Sequence, residues 1–470
     1  MDMKNFKLTI LSVLLTSVFF VSSCTSELDI NPAGVILVDS ALKTPADMQK
    51  LLNSCYDALA NQYNGTVQTY SDLMGDDIAK PFRDDLGFKT EIYNRSTNFF
   101  NSDAGGLYGR LYIPVYRVNT MELYYDKIVG LTDAEKTRMR AEGKFIRALC
   151  HFDLVRLWAQ PYGYTADNSH LGVPIRDKAT KDPLPRATVA QVYDFVVSDL
   201  NYAIENLPES NGNYANKDAA KSLLAIVYFQ MNKFNEALPL LNGIINSGAY
   251  ALSDSLNRFN SNAASQEYIF KFVSTGSNDN RASEFINRFR SDNNPQPDYN
   301  VSNDIFNLIA ADTSDARIQF FGTMNPGTPK QYHVLKKFNE DYFPVPLINM
   351  TQLVLTRAEV LAELGQDLGT AVSDINKIIK RAYPGNTNKE IAANADARTI
   401  LLTVRAERRK ELFCEGDRVN YLKRIGALAN PLDGATTIRN APWNCPGLAL
   451  QFPSSERTSI FVMNETGGCN

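Results

Sequence analysis

The sequence predicts a mainly α-helical protein, a tetratricopeptide-repeat-like helical scaffold carrying long irregular loop insertions. Three observations predict it. Apolar residues recur at spacings of three and four in several long segments. Two helix pairs place small and aromatic residues where antiparallel helices must approach closely. Two stretches, residues 61–115 and 260–345, read as irregular, the second rich in Asn, Asp, Ser and aromatic residues.

The chain opens with a leader. Lys4 and Lys7 precede the apolar run of residues 8–21, and Ser22 and Ser23 follow it, the pattern of a secretion signal too short to remain as a spanning helix. The order Val21-Ser22-Ser23-Cys24 is similar to a bacterial lipobox, which makes Cys24 the expected acyl acceptor and the first residue of the mature chain. Several acyl chains on one residue form a durable anchor, because each buried methylene contributes about 0.8 kcal/mol.

The helices follow in order. Residues 137–160 set Phe145, Leu149, Phe152, Leu154, Val155 and Trp158 on a buried stripe, ended by Pro161 and Gly163. Residues 188–208 begin at Thr188 as N-cap and stop at Pro208. Residues 216–248 hold a helix pair in which Ala225, Tyr228 and Ala237 occupy the close-approach positions of a tetratricopeptide repeat. The pair at 350–365 and 370–383 repeats the idea with Ala371 one place late, and residues 397–426 read as helix to the last glycine. Such repeats cannot bury a face alone and must stack into one curved layer. The insertions gather beside it, so residues 24–470 form one domain, with an N-terminal part to about 345 fused to a helical part from 346.

The charge balance excludes one class of function. The chain carries a net charge of −4, and loss of residues 1–23 removes two lysines and one aspartate, so no basic excess is left to bind nucleic acid. Beyond Cys24 the cysteines are Cys55, Cys150, Cys414, Cys445 and Cys469, with no CxxC. Cys150 and Cys414 fall on apolar helix faces and read as inert thiols, whereas Cys445 and Cys469 lie in a loop-rich tail that permits a bridge. No cofactor motif and no calcium-type loop accompany Asp76 and Asp77.

A hydrolase would need paired carboxylates or a nucleophile with its base. The histidines, His151, His170 and His333, are scattered. Glu407 and Glu411 stand one turn apart on a helix, but the interleaved Arg405, Arg408 and Arg409 favour ion pairing over catalysis.

Several segments together resemble one family. They are LDINP at 28–32, YSDLMGDD at 70–77, RAEGKFIRALCHFDLVRLWAQPYG at 140–163 with GVP at 172–174, the pair at 216–248, LTRAEVLAELG at 355–365 and RAERRKELFCEGDRVNYLKR at 405–424. In this order they are similar to the SusD/RagB family of Bacteroidetes outer-membrane nutrient-binding lipoproteins; Asn420-Tyr421 departs from the Asp-Leu common there. The resemblance implies a SusD-like fold and a surface-exposed, lipid-anchored binder at the outer membrane. Such a protein caps a TonB-dependent transporter and holds a glycan, or in some members a peptide, over the pore. It implies no catalysis and no cofactor. A repeat-based protein scaffold and a glycoside hydrolase are the alternatives from other classes.

A glycan binder needs flat aromatic faces and polar forks on loops over a rigid frame. The first insertion offers Tyr70, Phe82, Arg83, Asp84 and Phe88, and the second offers Phe289, Arg290 and Tyr299. Phe82, Phe88, Phe289 and Tyr299 are the expected stacking platforms, and Arg83, Asp84 and Arg290 the forks. Trp158, at the end of an apolar helix, reads as core, which leaves stacking to Tyr and Phe.

Overall fold

A computed structural model describes residues 41–79, 87–261, 265–293, 296–428 and 437–469. The leader, Cys24 and the expected contacts Phe82, Arg83 and Asp84 lie outside the described residues. Among those described there are fourteen α-helices and eight short strands, and no helix is long and apolar enough to cross a membrane.

Helix α1 (Pro45–Ala60) starts at a capping box in which the Thr44 hydroxyl accepts from the Asp47 N–H and the Asp47 side chain reaches back. The short helices α2 (Thr66–Met74) and α3 (Phe88–Tyr93) follow, then α4 (Ser102–Glu122), capped by Asn101. Helix α5 (Asp133–Trp158) begins a turn earlier than the apolar stripe suggests, because Thr132 and Glu135 form a second capping box. At its far end Lys423 Nζ, which burial brings down to about 7, donates to the carbonyls of Arg156, Ala159 and Leu448 at 2.9, 3.3 and 3.2 Å and so caps the carbonyl end of the helix. Helix α6 (Val189–Asn206) carries the expected Thr188 cap, closed by Gln191.

The repeat pairs form as the small residues predict. Helices α7 (Lys217–Gln230) and α8 (Phe234–Ile245) are joined across three residues, with Ala225 and Ala237 fully buried between neighbours. After the short α9 (Ser283–Phe289) and α10 (Asn303–Ala310), the pair α11 (Met350–Leu364) and α12 (Leu368–Ala382) repeats the turn and buries Ala371. The last helices are α13 (Ala397–Leu412) and α14 (Arg418–Gly426). Packing runs from α1 to α4, α5, α6, α7, α8 and α11, and α11 meets both α12 and α13. That continuous succession is the stacked layer that repeat helices need to bury their faces.

Two expectations change. The described residues within 61–115 are mostly helical, since α2, α3 and the first part of α4 occupy them. The stretch 397–426 is not one helix: Cys414 (φ 58°) and Gly416 (φ 86°) take left-handed backbone and turn the chain between α13 and α14.

The second insertion folds around its own aromatic core. Phe338 lies against Phe285, Phe259 and Phe289, with ring centroids 4.5, 5.1 and 5.4 Å away. Strands β2 (Tyr268–Phe272) and β6 (Val345–Asn349) pair antiparallel. Strands β1 (Ile78–Ala79), β3 (Asn300–Val301), β4 (Phe321–Met324) and β5 (Tyr332–Leu335) form a small sheet in the order β1-β3-β5-β4. Strands β7 (Thr437–Ile438) and β8 (Ala441–Pro442) make a hairpin.

Cys445 and Cys469 are disulfide-bonded, which fits a chain folded in an oxidising compartment. Cys55, Cys150 and Cys414 are buried free thiols. Burial pushes Cys55 up to about 12 and holds Cys150 and Cys414 well above the usual thiol range, so none is a nucleophile at neutral pH.

Candidate functional site

Two of the segments that carry the resemblance clamp each other. The Ser71 hydroxyl donates to the Gly416 carbonyl and the Gly416 N–H donates to the Asp72 carboxylate, both at 2.8 Å. Arg418 forks Asp76 at 2.7 and 2.9 Å, and Arg409 donates to Asp77 at 2.9 Å. Asp76 and Asp77 are therefore committed to guanidinium groups. The clamp delivers the chain directly into β1.

Strand β1 then joins the first insertion to the second. Ile78 opposes Val301 and Ala79 opposes Asn300 on β3, and Val301 opposes His333 on β5. Over this edge lies a cleft of about 310 Å³, lined among others by Asp76, Tyr93, Asn300, Asn303, Tyr332 and Arg439. Asn300 is buried and its side-chain oxygen has no hydrogen-bond partner. Tyr93 and Tyr332 are half-buried and Asn303 is exposed. The wall thus combines aromatic rings with amide, guanidinium and carboxylate groups, a composition that receives a polar ligand with apolar faces.

Arg439 reaches the cleft from the β7–β8 turn. Arg439 (φ 47°) and Asn440 (φ 66°) are its two central residues, both left-handed, as a two-residue hairpin of this hand requires. The Arg439 guanidinium lies 4.0 Å from the Tyr93 ring centre, and its Nη2 donates to the carbonyls of Leu73, at 3.2 Å, and Tyr93. Behind it Arg95 donates from Nε to the Met74 carbonyl at 3.0 Å and from Nη1 to the Ile438 carbonyl at 2.5 Å.

Two other cavities differ in construction. One of about 90 Å³ is enclosed between α2, α5 and the α13–α14 turn. The other, about 370 Å³, is a groove on α4 and the tail, floored by Gly105, Tyr108 and Gly109. Of these three, and among the described residues, the cleft at the small sheet alone draws its walls from both insertions.

The expected contacts separate accordingly. Phe289 and Tyr299 are fully buried, edge to face at 5.4 Å, and Tyr70 is 3% exposed within α2. The rings of Phe289 and Tyr299 are covered by protein in the second insertion's core, which corrects their assignment as platforms, and buried Tyr70 is likewise corrected as an expected ligand contact. Arg290 forks Asp292 at 2.7 and 2.9 Å and reaches Asp341 at 2.6 Å, outside the cleft. Phe88 is 40% exposed at the start of α3, the helix whose last residue, Tyr93, lines the cleft. Asn300, Asn303, Tyr332 and Arg439 escaped the sequence reading. Strand alternation was the available signal for one of them: beside buried Tyr299, Asn300 points the other way.

Residues with catalytic types serve packing. His151 is fully buried between Tyr112 and Phe195; its Nδ1 donates to the Arg147 carbonyl at 2.8 Å and its Nε2 accepts from the Arg176 N–H at 3.2 Å. Burial brings it down to about 4, so the ring is neutral. Glu407 and Glu411 meet Arg317 Nη1 at 2.8 and 3.1 Å. Trp158 is fully buried and Trp443 is half-buried against Gly426.

These assignments predict opposite phenotypes. Phe289→Ala and Tyr299→Ala are expected to cost about 3 to 5 kcal/mol of stability, as core aromatics do. Tyr332→Ala is expected to spare folding and weaken ligand binding by roughly 1 to 3 kcal/mol, the range for loss of a stacking ring. Urea denaturation and titration of the three variants separate the two kinds; an early-melting Tyr332→Ala with unchanged affinity would remove the cleft from consideration.

A stacked helical layer that carries a polar, aromatic cleft on its insertions defines a binding protein of the helical-repeat class. Comparison with known proteins agrees. A family model described as starch-binding, associating with outer membrane, matches residues 36–229, and the SusD family model matches residues 227–458. The chain belongs to the SusD/RagB family of nutrient-binding proteins. It is 24% identical to SusD-like protein P38 of Formosa agariphila, over 93% of this chain and 96% of that one. To SusD-like protein P2 of the same organism it is 27% identical over 53% of this chain, a match that spans about half, 47%, of that relative's length. A crystal structure of a SusD superfamily protein from Bacteroides thetaiotaomicron superposes with a TM-score of 0.77 at 23% identity, covering 90% of this chain and all of the other. One from Bacteroides vulgatus superposes at 0.75 with 24% identity, covering 88% and 97%. At such identities the superpositions show the shared fold.

Proposed function

We propose that this protein is a lipid-anchored, surface-exposed outer-membrane protein that binds a glycan and delivers it to a TonB-dependent transporter. The observation that carries the reading is the cleft at the small sheet. Both insertions and the β7–β8 turn converge there, and the buried Asn300 oxygen lacks a partner that a sugar hydroxyl would supply. Family membership supports the substrate class, and the apolar leader ending at Cys24 supports the anchor. The helical layer is then free to rest on the transporter while the insertions face the ligand.

A glycan and peptide array probed with the full chain tests the ligand class. Glycan spots are expected to bind, with loss on Tyr332→Ala; binding confined to peptides would replace glycan by peptide in the proposal. Affinity purification from membranes tests the partner, and recovery of soluble proteins with no TonB-dependent transporter would turn the reading into that of a protein scaffold. For the anchor, Cys24→Ala is expected to leave a folded protein that no longer takes up labelled fatty acid, since the thiol is the acyl acceptor. Label still entering the variant would sink the lipoprotein reading.

A further inference from the structure

We infer that the cleft takes an acidic saccharide, one carrying carboxylate or sulfate groups, held by Arg439 with Arg95 behind it; the inference rests on the glycan-binding reading above. Its basis is a buried arginine, Arg95, beside a half-buried one, Arg439, at the edge of the cleft. Among the described residues, each of the other buried arginines lies within ion-pairing distance of a carboxylate, as Arg147 does to Asp199, Arg317 to Asp315 and Arg357 to Asp374. Arg95, 3% exposed, has no such partner among the described residues, and neither has the half-buried Arg439. Both leave a buried nitrogen without a hydrogen bond, Nη2 of Arg95 and Nε of Arg439.

The nearby acids do not neutralise the pair. Asp76 is forked by Arg418 and approached by Arg409 at 3.4 Å, and Asp77 is held by Arg409. Burial holds the Asp72 carboxyl well above the usual carboxylate range, and its oxygen is taken up by the Gly416 N–H. Asp304, which also lines the cleft, is exposed to solvent on α10. Among the described residues, the four guanidinium groups of Arg95, Arg409, Arg418 and Arg439 therefore stand around the Asp76 and Asp77 carboxylates, with Asp304 at the solvent edge of the cleft. Burial first, and then the neighbouring Arg439, bring Arg95 down to about 9, while Asp76 acts in the opposite direction.

A fold avoids such a pair unless something answers it, because a buried guanidinium without a counter-charge is costly. The placement is also conformationally demanding: Arg439 sits at a left-handed position that a glycine or asparagine occupies more easily. A carboxylate or sulfate in the cleft supplies charge-assisted acceptors to Arg439 and offsets the field of Arg95. A neutral hydroxyl supplies an acceptor and leaves the charge standing.

The test uses the full chain in detergent, titrated with polygalacturonate, its fully methyl-esterified form, chondroitin sulfate, amylose and xylan. Binding is expected for an acidic polymer, with affinity lowered roughly tenfold to a hundredfold in Arg439→Gln, the effect of removing a hydrogen bond to a charged group. Inorganic sulfate is expected to compete with that polymer, against chloride at equal ionic strength, on the unmodified protein; this arm stands even if Arg439→Gln fails to fold. A neutral polymer bound with no effect of sulfate would overturn the acidic-ligand inference and leave the glycan reading in place. Acidic polymer bound equally by Arg439→Gln and untouched by sulfate would also overturn it. No polymer bound at all would overturn both.

Discussion

Glu411→Gln is expected to lower the unfolding free energy by about 3 to 5 kcal/mol, the range for removing one partner of a buried ion pair. Glu411 is 3% exposed and stands at the centre of a network. Arg381 reaches it at 2.7 Å, Arg317 at 3.1 Å and Arg258 at 3.5 Å. An amide keeps the shape and one acceptor, but leaves three buried cations short of charge. The same geometry sets a pH signature. Burial alone would raise this carboxyl, yet Arg381, Arg317, Arg258 and Lys337 outweigh burial and bring it to about 2 from its ordinary 4.5. Its folded-state value is depressed, so its contribution is present above the ordinary value and is lost as pH falls from 4.5 toward 2. By linkage that contribution is roughly 3 kcal/mol. Urea denaturation of both proteins at pH 7, 5 and 3.5 checks the point. The wild type should lose more stability than the variant between the last two, while binding by the folded variant stays intact. A variant with unchanged melting and abolished binding would mean that these glutamates belong to a ligand site.

That network explains why the helical frame was legible in the sequence. Charges interleaved with apolar positions at helical spacing on α13 announce a buried, paired face, and small residues such as Ala225 and Ala237 announce close helix approach. Helix α4 was missed for an equally physical reason. Gly105, Gly106, Gly109 and Pro114 depress its local propensity, and its helicity comes from packing between α1 and α5. The site was less legible still. In a segment without period, nothing local tells an aromatic that faces solvent from one that anchors its own loop, so Phe289 and Tyr299 looked like platforms and are core. Asn300, Tyr332 and Arg439 come from three separate segments, and only the pairing of β1 with β3 and β5 and the β7–β8 turn brings them together.

Gly416→Ala is expected to cost about 2 to 5 kcal/mol, summing a left-handed backbone penalty of about 1 to 2 and an overpacking cost of about 1 to 3. Gly416 has φ 86°, and a Cβ there would lie 2.7 Å from Gln68 Cα and 2.9 Å from Gln68 Cβ. Neither the backbone of α2 nor that of the turn can yield without loosening the other. The cost should also reach the cleft. Gly416 bonds Ser71 and Asp72, and the neighbouring Arg418 holds Asp76, so pushing α2 away displaces β1 and with it the rim at Ile78 and Ala79. Gly248→Ala is the control, because Gly248 has φ 73° and nothing within 4 Å of the added carbon. It should show the backbone penalty alone and unchanged ligand affinity. Denaturant midpoints and ligand titration of the two variants give the comparison. If Gly416→Ala proves no more destabilising than Gly248→Ala, the close approach of the turn to α2 is not what holds the rim of the cleft.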